Sequence, residues 1–124
     1  MVGTNNGGLA NSFSDSAVTV KVDNQNPVTT TGGLGGVVGV NAEKGNVQYV
    51  DSLGVTNGGA TGSSNIGGII GTNKGNMYSG YNESIVSGKD KVGGIIGENS
   101  TGGTVTNIAV SYTHLRAHET CADL

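Results

Sequence analysis

The residues best suited to binding a metal ion lie close together near the end of the chain. His114 and His118 are four residues apart, and Glu119 and Cys121 lie just beyond them. On a helix, this spacing would bring both imidazoles to one face, which suits a zinc ion. The cluster therefore suggests a His/Cys metal site, provided that its segment belongs to the folded protein.

Carboxylates that could act in catalysis are scattered along the rest of the chain. A glycosidase needs two carboxyl groups that face each other across roughly 5–10 Å. The positions of the carboxylates in the repeats of this chain do not predict such a pair. Lys89, Asp90 and Lys91 form the densest charge cluster, which is typical of a solvated turn and is alternatively a contact for an acidic glycan or for the substrate of a lyase. The scattered carboxylates are Asp15, Asp23, Asp51, Glu83 and Glu98.

Tyr49, Tyr78 and Tyr81 are the remaining candidates for a binding site. Two interpretations stay open: the rings form a stripe on which sugars stack, or they cover apolar edges of a core that is poor in aromatic residues. Asp51 and Tyr81 are predicted to occupy equivalent positions in adjacent repeats, so that a site there would combine a carboxylate with a ring.

These side chains are carried by a sequence that repeats one short block. The full copies begin 32 and then 26 residues apart, and self-similarity at such a period indicates a repeat architecture. Residues 1–5 match the second half of the block. The full copies are GGVVGVN at 35–41, GGIIGTN at 67–73 and GGIIGEN at 93–99.

Each repeat is predicted to contribute three short strands and no helix, because glycines interrupt every window long enough for one. The first strand is the apolar block, such as 66–70. We expect one side chain of its Val or Ile pair to point into the interior and the other outward or towards a neighbouring layer. The second strand follows a Gly and alternates with period two. The third is a short β-branched piece, at 17–20, 55–56 and 85–86.

An Asn closes every copy of the block and would stack on its equivalents if the repeats stack. We interpret it as a turn residue that bonds to local backbone or as a rung of an Asn ladder, with a ligand site as the alternative. The four residues are Asn5, Asn41, Asn73 and Asn99.

Composition limits both the fold and the partners. With 24 Gly, one Phe and no Trp in 124 residues, the chain cannot build one large core, whereas stacked repeats can build a thin, extended one. A net charge of −3 gives no reason to expect nucleic acid or an anionic membrane as partner. No apolar stretch approaches the roughly 18 residues of a membrane span, and residues 1–20 do not read as a signal peptide. The predicted fold is all-β: a β-solenoid or β-helix-like stack of three to four repeats.

The blocks, each followed by a Gly and an apolar residue, resemble the GLUG motif of bacterial surface proteins. The resemblance covers residues 1–110, and Val37, Ile69 and Ile95 replace the Leu of the motif's core. GLUG repeats occur in large secreted adhesins and in non-catalytic parts of IgA-cleaving peptidases. The resemblance therefore implies a β-solenoid in a cell-surface or secreted setting, and it supplies no catalytic residue.

Segment 111–124 differs from everything before it. All glycines precede Ser111, whereas the only Arg, both His and the only Cys follow it. The segment breaks off the fourth repeat where its third strand is due. It resembles the translated read-through of a sequencing adaptor, of the form SYTHLRAHET, seen at the ends of fragmentary metagenomic proteins. We interpret it as a non-native tail on a fragment that begins in mid-block, and we predict no metal, cofactor or catalytic site.

The predicted domain is therefore a set of repeats over residues 1–110. We expect a structural or adhesive module, a stalk or binding scaffold, that is not an enzyme and lies outside a bacterial cell. Its partners would be a host surface protein or glycan and the neighbouring repeats of a longer chain. Alternatives are accessory repeats of a secreted peptidase or, less readily, a β-helix enzyme acting on polysaccharides. The copies lie near 1–34, 35–66, 67–92 and 93–110.

Overall fold

A computed structural model of the chain describes residues 1–19, 32–58, 64–88, 90–110 and 115–117. These residues form fifteen short strands. The strands are β1 (Val2–Asn5), β2 (Gly8–Ser14), β3 (Ala17–Thr19), β4 (Leu34–Gly35), β5 (Val38–Asn41), β6 (Asn46–Ser52), β7 (Val55–Asn57), β8 (Ser64–Gly67), β9 (Ile70–Asn73), β10 (Asn76–Asn82), β11 (Ile85–Gly88), β12 (Asp90–Gly93), β13 (Ile96–Asn99), β14 (Thr104–Val110) and β15 (Leu115–Ala117).

The strands stack into four parallel sheets. Sheet 1 contains β1, β5, β9 and β13; sheet 2 contains β2, β6, β10 and β14; sheet 3 contains β3, β7, β11 and β15; and sheet 4 contains β4, β8 and β12. The chain visits the sheets in the same order on every pass, so that each coil lies on the previous one. We number the coils one (β1–β3), two (β4–β7), three (β8–β11) and four (β12–β15). This arrangement confirms the predicted all-β solenoid of stacked short-stranded repeats.

The prediction of three strands per repeat is wrong, because the apolar block is a corner rather than a strand. Its first Gly ends one strand and its second hydrophobic residue begins the next: β8 ends at Gly67, the chain bends at Gly68 and Ile69, and β9 begins at Ile70. The bend is tight enough that a Cβ on Gly67 would lie closer than 3.0 Å to the carbonyl oxygens of Ile70 and Ile95. The second and third predicted strands are confirmed by β2, β6, β10 and β14 and by β3, β7 and β11.

The corner also overturns the expected orientation of the Val or Ile pair. Ile69 and Ile70 are both completely buried, and Val37 and Val38 are buried in the same cluster. Side chains alternate between faces only along an extended strand. Because the pair spans a bend between two sheets, both of its members point into the solenoid.

The core is a narrow column inside the four sheets. The corner residues pack there against the inward side chains of sheet 2, Val47, Val50 and Met77, with Leu9 at the edge. Fully burying one such side chain contributes about 1.5–3 kcal/mol. Successive coils therefore stabilise each other through stacked aliphatic side chains and parallel ladders.

Sheet 2 carries a backbone feature that the sequence analysis missed. One residue in each of its strands has a positive φ, between 51° and 59°, although none is Gly. In β10, Met77 before that position and Gly80 after it are both buried. The left-handed residue therefore bends the strand and shifts the alternation of inward and outward side chains by one residue. The four residues are Asn11, Tyr49, Ser79 and Asn107. Asn tolerates this conformation better than most other non-Gly residues. Of the four residues, Asn11 and Asn107 are therefore the two whose type indicates a positive φ.

Strand β15 lies within the segment interpreted as a non-native tail. Its residues pair with β11 in parallel, with Leu115 opposite Val86 and Ala117 opposite Gly88. This is the position at which a third strand of the fourth repeat is due. The foreign origin of residues 111–124 stays a prediction.

Thr56→Val is expected to stabilise the fold. Thr56 is fully buried between Val18 and Val86 in sheet 3, and its hydroxyl has no hydrogen-bond partner in the described part of the chain. An unpartnered buried hydroxyl costs free energy, and its removal should raise the free energy of unfolding by about 1 kcal/mol. The matched control is Thr72→Val, because the Thr72 hydroxyl accepts a hydrogen bond from Asn65 Nδ2 at 3.0 Å. Urea unfolding should show opposite signs for the two variants, and a loss of stability in both would contradict this assignment.

Candidate functional site

The recurring Asn residues form a continuous ladder, as predicted. Asn5 Nδ2 donates to Asn41 Oδ1 at 2.9 Å, Asn41 Nδ2 to Asn73 Oδ1 at 2.8 Å, and Asn73 Nδ2 to Asn99 Oδ1 at 2.8 Å. The same amides also donate to backbone carbonyls: Asn41 Nδ2 donates to Gly45 O of the turn that follows it at 3.3 Å, and Asn73 Nδ2 donates to Thr104 O of the next coil at 3.2 Å. Asn41 and Asn73 are completely buried. The ladder is therefore a structural element of the solenoid, and its inner amides are not available to a ligand.

In contrast to the buried ladder, the aromatic residues that the structure describes lie on the outer face of sheet 2. Phe13 is 72% exposed, Tyr49 52% and Tyr78 36%, and Tyr81 is half-buried. None of the four belongs to the core cluster. The tyrosines therefore form a stripe on the surface, outside the core cluster, and the stacking of sugars on this stripe stays a prediction. We call these four residues the aromatic face.

The parallel register determines how the rings are arranged. Phe13, Asp51 and Tyr81 follow one another in a single row across coils one to three, which confirms the predicted equivalence of Asp51 and Tyr81. Tyr78 lies in a second row, beside Gln48. Since neighbouring strands are about 4.8 Å apart, the rings of three consecutive coils extend over about 10 Å of the stack.

Tyr78 is held on both sides by neighbouring coils. Its ring meets the ring of Tyr49 edge to face, with centroids 5.7 Å apart and an interplanar angle of 83°. Its hydroxyl oxygen accepts a hydrogen bond from Asn107 Nδ2 at 3.2 Å. Tyr49 stands at the left-handed position of its strand, and this conformation sets the direction of its ring. The sequence does not reveal this pair, because the two rings meet only when coils two and three stack.

A second polar ladder borders the aromatic face. Asn76 Nδ2 donates to Asn46 Oδ1 at 2.8 Å, and the Thr104 hydroxyl donates to Asn76 Oδ1 at 2.6 Å. These side chains link the first residues of β6, β10 and β14. The border of the face is therefore tied together across coils two to four.

Charge is nearly absent from the four strands that form this face. Residues 8–14, 46–52, 76–82 and 104–110 contain no Lys, Arg or His, and Asp51 is their only carboxylate. Asp51 is exposed. The face thus combines rings, amides and hydroxyls with a single negative charge.

The main ion pair of the described residues lies elsewhere, across the corner between sheets 4 and 1. Lys91 Nζ is 2.5 Å from Glu98 Oε2. In the coil below, Asn65 and Thr72 occupy the equivalent positions and form a hydrogen bond instead. Lys91 thus neutralises a carboxylate of its own coil, and within the predicted charge cluster Asp90 is exposed at the start of β12 and Lys89 lies outside the described residues.

Titration of Glu98 should report this ion pair. The hydrogen bond and the charge of Lys91 lower the pKa of Glu98, with smaller contributions from Ser100 and Lys74. A lowered folded-state pKa means that the stabilisation is present above the unfolded-state pKa and is lost as the pH falls through the folded-state value. Lys91→Met should raise the Glu98 midpoint in an NMR titration towards the usual range of glutamate, whereas Lys44→Met should leave it unchanged. An unaltered midpoint in Lys91→Met would refute the pairing.

The other predicted carboxylates that the structure describes, Asp15, Asp51 and Glu83, lie in three different coils. Asp15 and Glu83 lie in the turns after β2 and β10, in coils that are separated by coil two. The described residues contain no group of three or more His, Cys, Asp or Glu side chains that could hold a metal ion. Apart from Lys89, five predicted candidates lie outside the described residues: Asp23, His114, His118, Glu119 and Cys121.

Comparison of the chain with protein-family models, with curated proteins and with solved structures finds no match. The architecture itself places the chain among all-β proteins with stacked parallel coils. A helix long and apolar enough to cross a membrane does not occur in the described parts of the chain.

Proposed function

We propose that this chain is a structural and adhesive module of a bacterial cell-surface or secreted protein. In this role the solenoid is a stiff scaffold, and the aromatic face is the surface that it presents to a partner outside the cell. The module binds and positions; it does not catalyse a reaction. The GLUG-like blocks favour the bacterial surface setting.

The observation that carries this proposal is the position of the aromatic residues. In a chain this poor in rings, Phe13, Tyr49, Tyr78 and Tyr81 would each bury a large apolar area if they were placed inside. Instead all four lie on one outer face of one sheet, where they contribute little to the core. Exposed rings clustered on one face are typical of binding surfaces.

The rest of the fold favours a scaffold. Three parallel sheets and the Asn ladder connect all four coils, and sheet 4 and the second polar ladder connect coils two to four. A stack of this kind presents its outer face without rearrangement. Sites on rigid strands are held more accurately than sites on loops. A partner that meets the aromatic face therefore meets a preformed surface.

An adhesion assay tests the proposal with a variant in which each ring is replaced by the residue that coil four carries at the equivalent position. Coil four carries Thr106, Asn107 and Ala109 at the positions that the rings occupy in the other coils. We would combine the corresponding substitutions and measure retention of the labelled chain on epithelial cells and on mucin-coated surfaces. The adhesion of the variant is expected to fall by at least about tenfold. The substitutions are Phe13→Ala, Tyr49→Asn, Tyr78→Thr and Tyr81→Ala.

The control removes apolar surface from a different face. Val55 and Ile85 are exposed neighbours in sheet 3, and Val55→Thr with Ile85→Thr should leave adhesion unchanged. Circular dichroism would verify that both variants keep the β fold. The proposal would be wrong if the unaltered chain did not adhere to either surface, or if the two variants lost adhesion equally.

A further inference from the structure

We infer that the aromatic face binds an uncharged polysaccharide chain. This inference rests on the proposed function and names the chemistry of its partner. The ligand is a linear or branched glycan without phosphate, sulfate or carboxylate groups, and it lies across coils one to three. Its sugar rings stack on the exposed aromatic rings, and its hydroxyls bond to the amides between them.

The rings supply the apolar half of such a site. One face of a sugar ring is lined by C–H groups, and these pack on an aromatic ring because its face carries partial negative charge. Phe13 and Tyr49 are more than half exposed, so that each has ring surface available to a ligand. Tyr78 is held by Tyr49 and Asn107, and its position is therefore set before a ligand arrives.

Neutral polar side chains supply the other half. Gln48 is next to Tyr78 in its row, and Asn11 and Ser79 occupy the same left-handed position as Tyr49 in neighbouring coils. Amides and hydroxyls both donate and accept hydrogen bonds, as sugar hydroxyls do. A face in which single rings alternate with such groups matches a ligand that is apolar on its flat side and hydroxylated around its edge.

The charge of the aromatic face and of its four strands determines which class of glycan it can bind. Sulfated, phosphorylated and uronic acid polymers are bound through Arg and Lys, and the four strands of this sheet contain neither. Asp51, at the centre of the face and between Phe13 and Tyr81, repels an anionic chain and accepts hydrogen bonds from hydroxyls. The same argument excludes nucleic acid, whose affinity depends on phosphate contacts.

The extent of the face favours a chain over a single sugar. The rings are distributed over three consecutive strands, or about 10 Å, which exceeds one sugar ring. A protein partner would be expected to meet a wider apolar centre free of carboxylates, whereas here Asp51 lies in the middle. We therefore commit to the polysaccharide.

Native gel electrophoresis with polysaccharide in the gel tests this assignment directly. Hydroxyethyl cellulose, galactomannan and mannan serve as neutral probes, and polygalacturonate as the anionic probe. Migration of the full chain should be retarded by at least one neutral probe and not by polygalacturonate, with little dependence on salt. Tyr49→Asn with Tyr78→Thr should weaken the association constant by about tenfold, whereas Val55→Thr with Ile85→Thr should not alter it.

The outcomes distinguish a failure of the polysaccharide assignment from a failure of the proposed adhesive function. Retardation by polygalacturonate alone, equal retardation of the ring variant, or no retardation by any probe would overturn the polysaccharide assignment. If cell adhesion through the aromatic face survived periodate oxidation of the glycans and was abolished by protease, the ligand would be a protein, and the adhesive function would still stand. If a neutral glycan were bound while no surface retained the chain, the assignment would hold and the proposed function would fail.

Discussion

Gly67→Ala is expected to prevent the chain from forming a stable solenoid. A Cβ at this position would lie closer than 3.0 Å to two backbone carbonyls, those of Ile70 and Ile95, and to the amide nitrogen of Gly97. Backbone atoms held in parallel ladders on both sides cannot move away individually. We expect a loss of more than about 4 kcal/mol, a size that only a few mechanisms such as severe overpacking reach. Such a loss is a large share of the roughly 5–15 kcal/mol by which a typical domain is stable.

Gly8→Ala is the matched control for this substitution. Gly8 also lies in a parallel strand, β2, but a Cβ there would meet no atom within 4 Å. Its effect should stay within about 1 kcal/mol, because Ala changes mainly the backbone entropy at an open position. Urea unfolding followed by circular dichroism would compare the two. A Gly67→Ala chain that unfolds at the same midpoint as Gly8→Ala would show that the corner is looser than described.

Asn73→Ala is expected to produce the second largest effect, a loss of about 3 kcal/mol. The substitution removes the acceptor of Asn41 Nδ2 and the donor to Asn99 Oδ1 and Thr104 O at the same time. Asn73 is completely buried, so that water cannot replace these bonds without opening the stack. Buried polar groups left without partners cost more than the bonds themselves contribute.

Asn99→Ala provides the comparison within the same ladder. Asn99 is the last rung of the described ladder and is exposed, and water can replace its bonds. We expect a loss of no more than about 1 kcal/mol. Thermal unfolding of the two variants should therefore give clearly different midpoints. Equal losses would mean that the ladder stabilises through the turn geometry at each Asn rather than through burial of the bonded amides.

Much of the fold could be predicted because the sequence repeats. The block ending in Asn41, Asn73 and Asn99 recurs at one position of every coil, and identical residues stack when coils stack. The Asn ladder and the equivalence of Asp51 and Tyr81 followed from that alignment alone. The strands of sheets 2 and 3 could be placed for a related reason, because alternation and β-branched residues are local signals.

The corner could not be predicted, because it depends on packing between coils. In the sequence, the block around Gly67, Ile69 and Ile70 looks like an apolar strand with flexible glycines. Only the stacked structure shows which backbone atoms of the neighbouring coil approach those glycines, and that both hydrophobic residues of the pair point inward around a bend. The left-handed conformation of Tyr49 and Ser79 in sheet 2 could not be predicted either, because neither residue type favours a positive φ.

The sequence by itself therefore determined the repeat, the all-β class, the equivalent positions of the recurring Asn residues and the small share of charge, because each of these is a property of composition or of residue spacing. It left open whether the tyrosines serve the core or the surface. Only the tertiary structure decided that Phe13, Tyr49, Tyr78 and Tyr81 share one exposed face. The physical reason is that a bend in every strand of sheet 2 selects which side chains point outward, and that stacking of separate coils brings those side chains together.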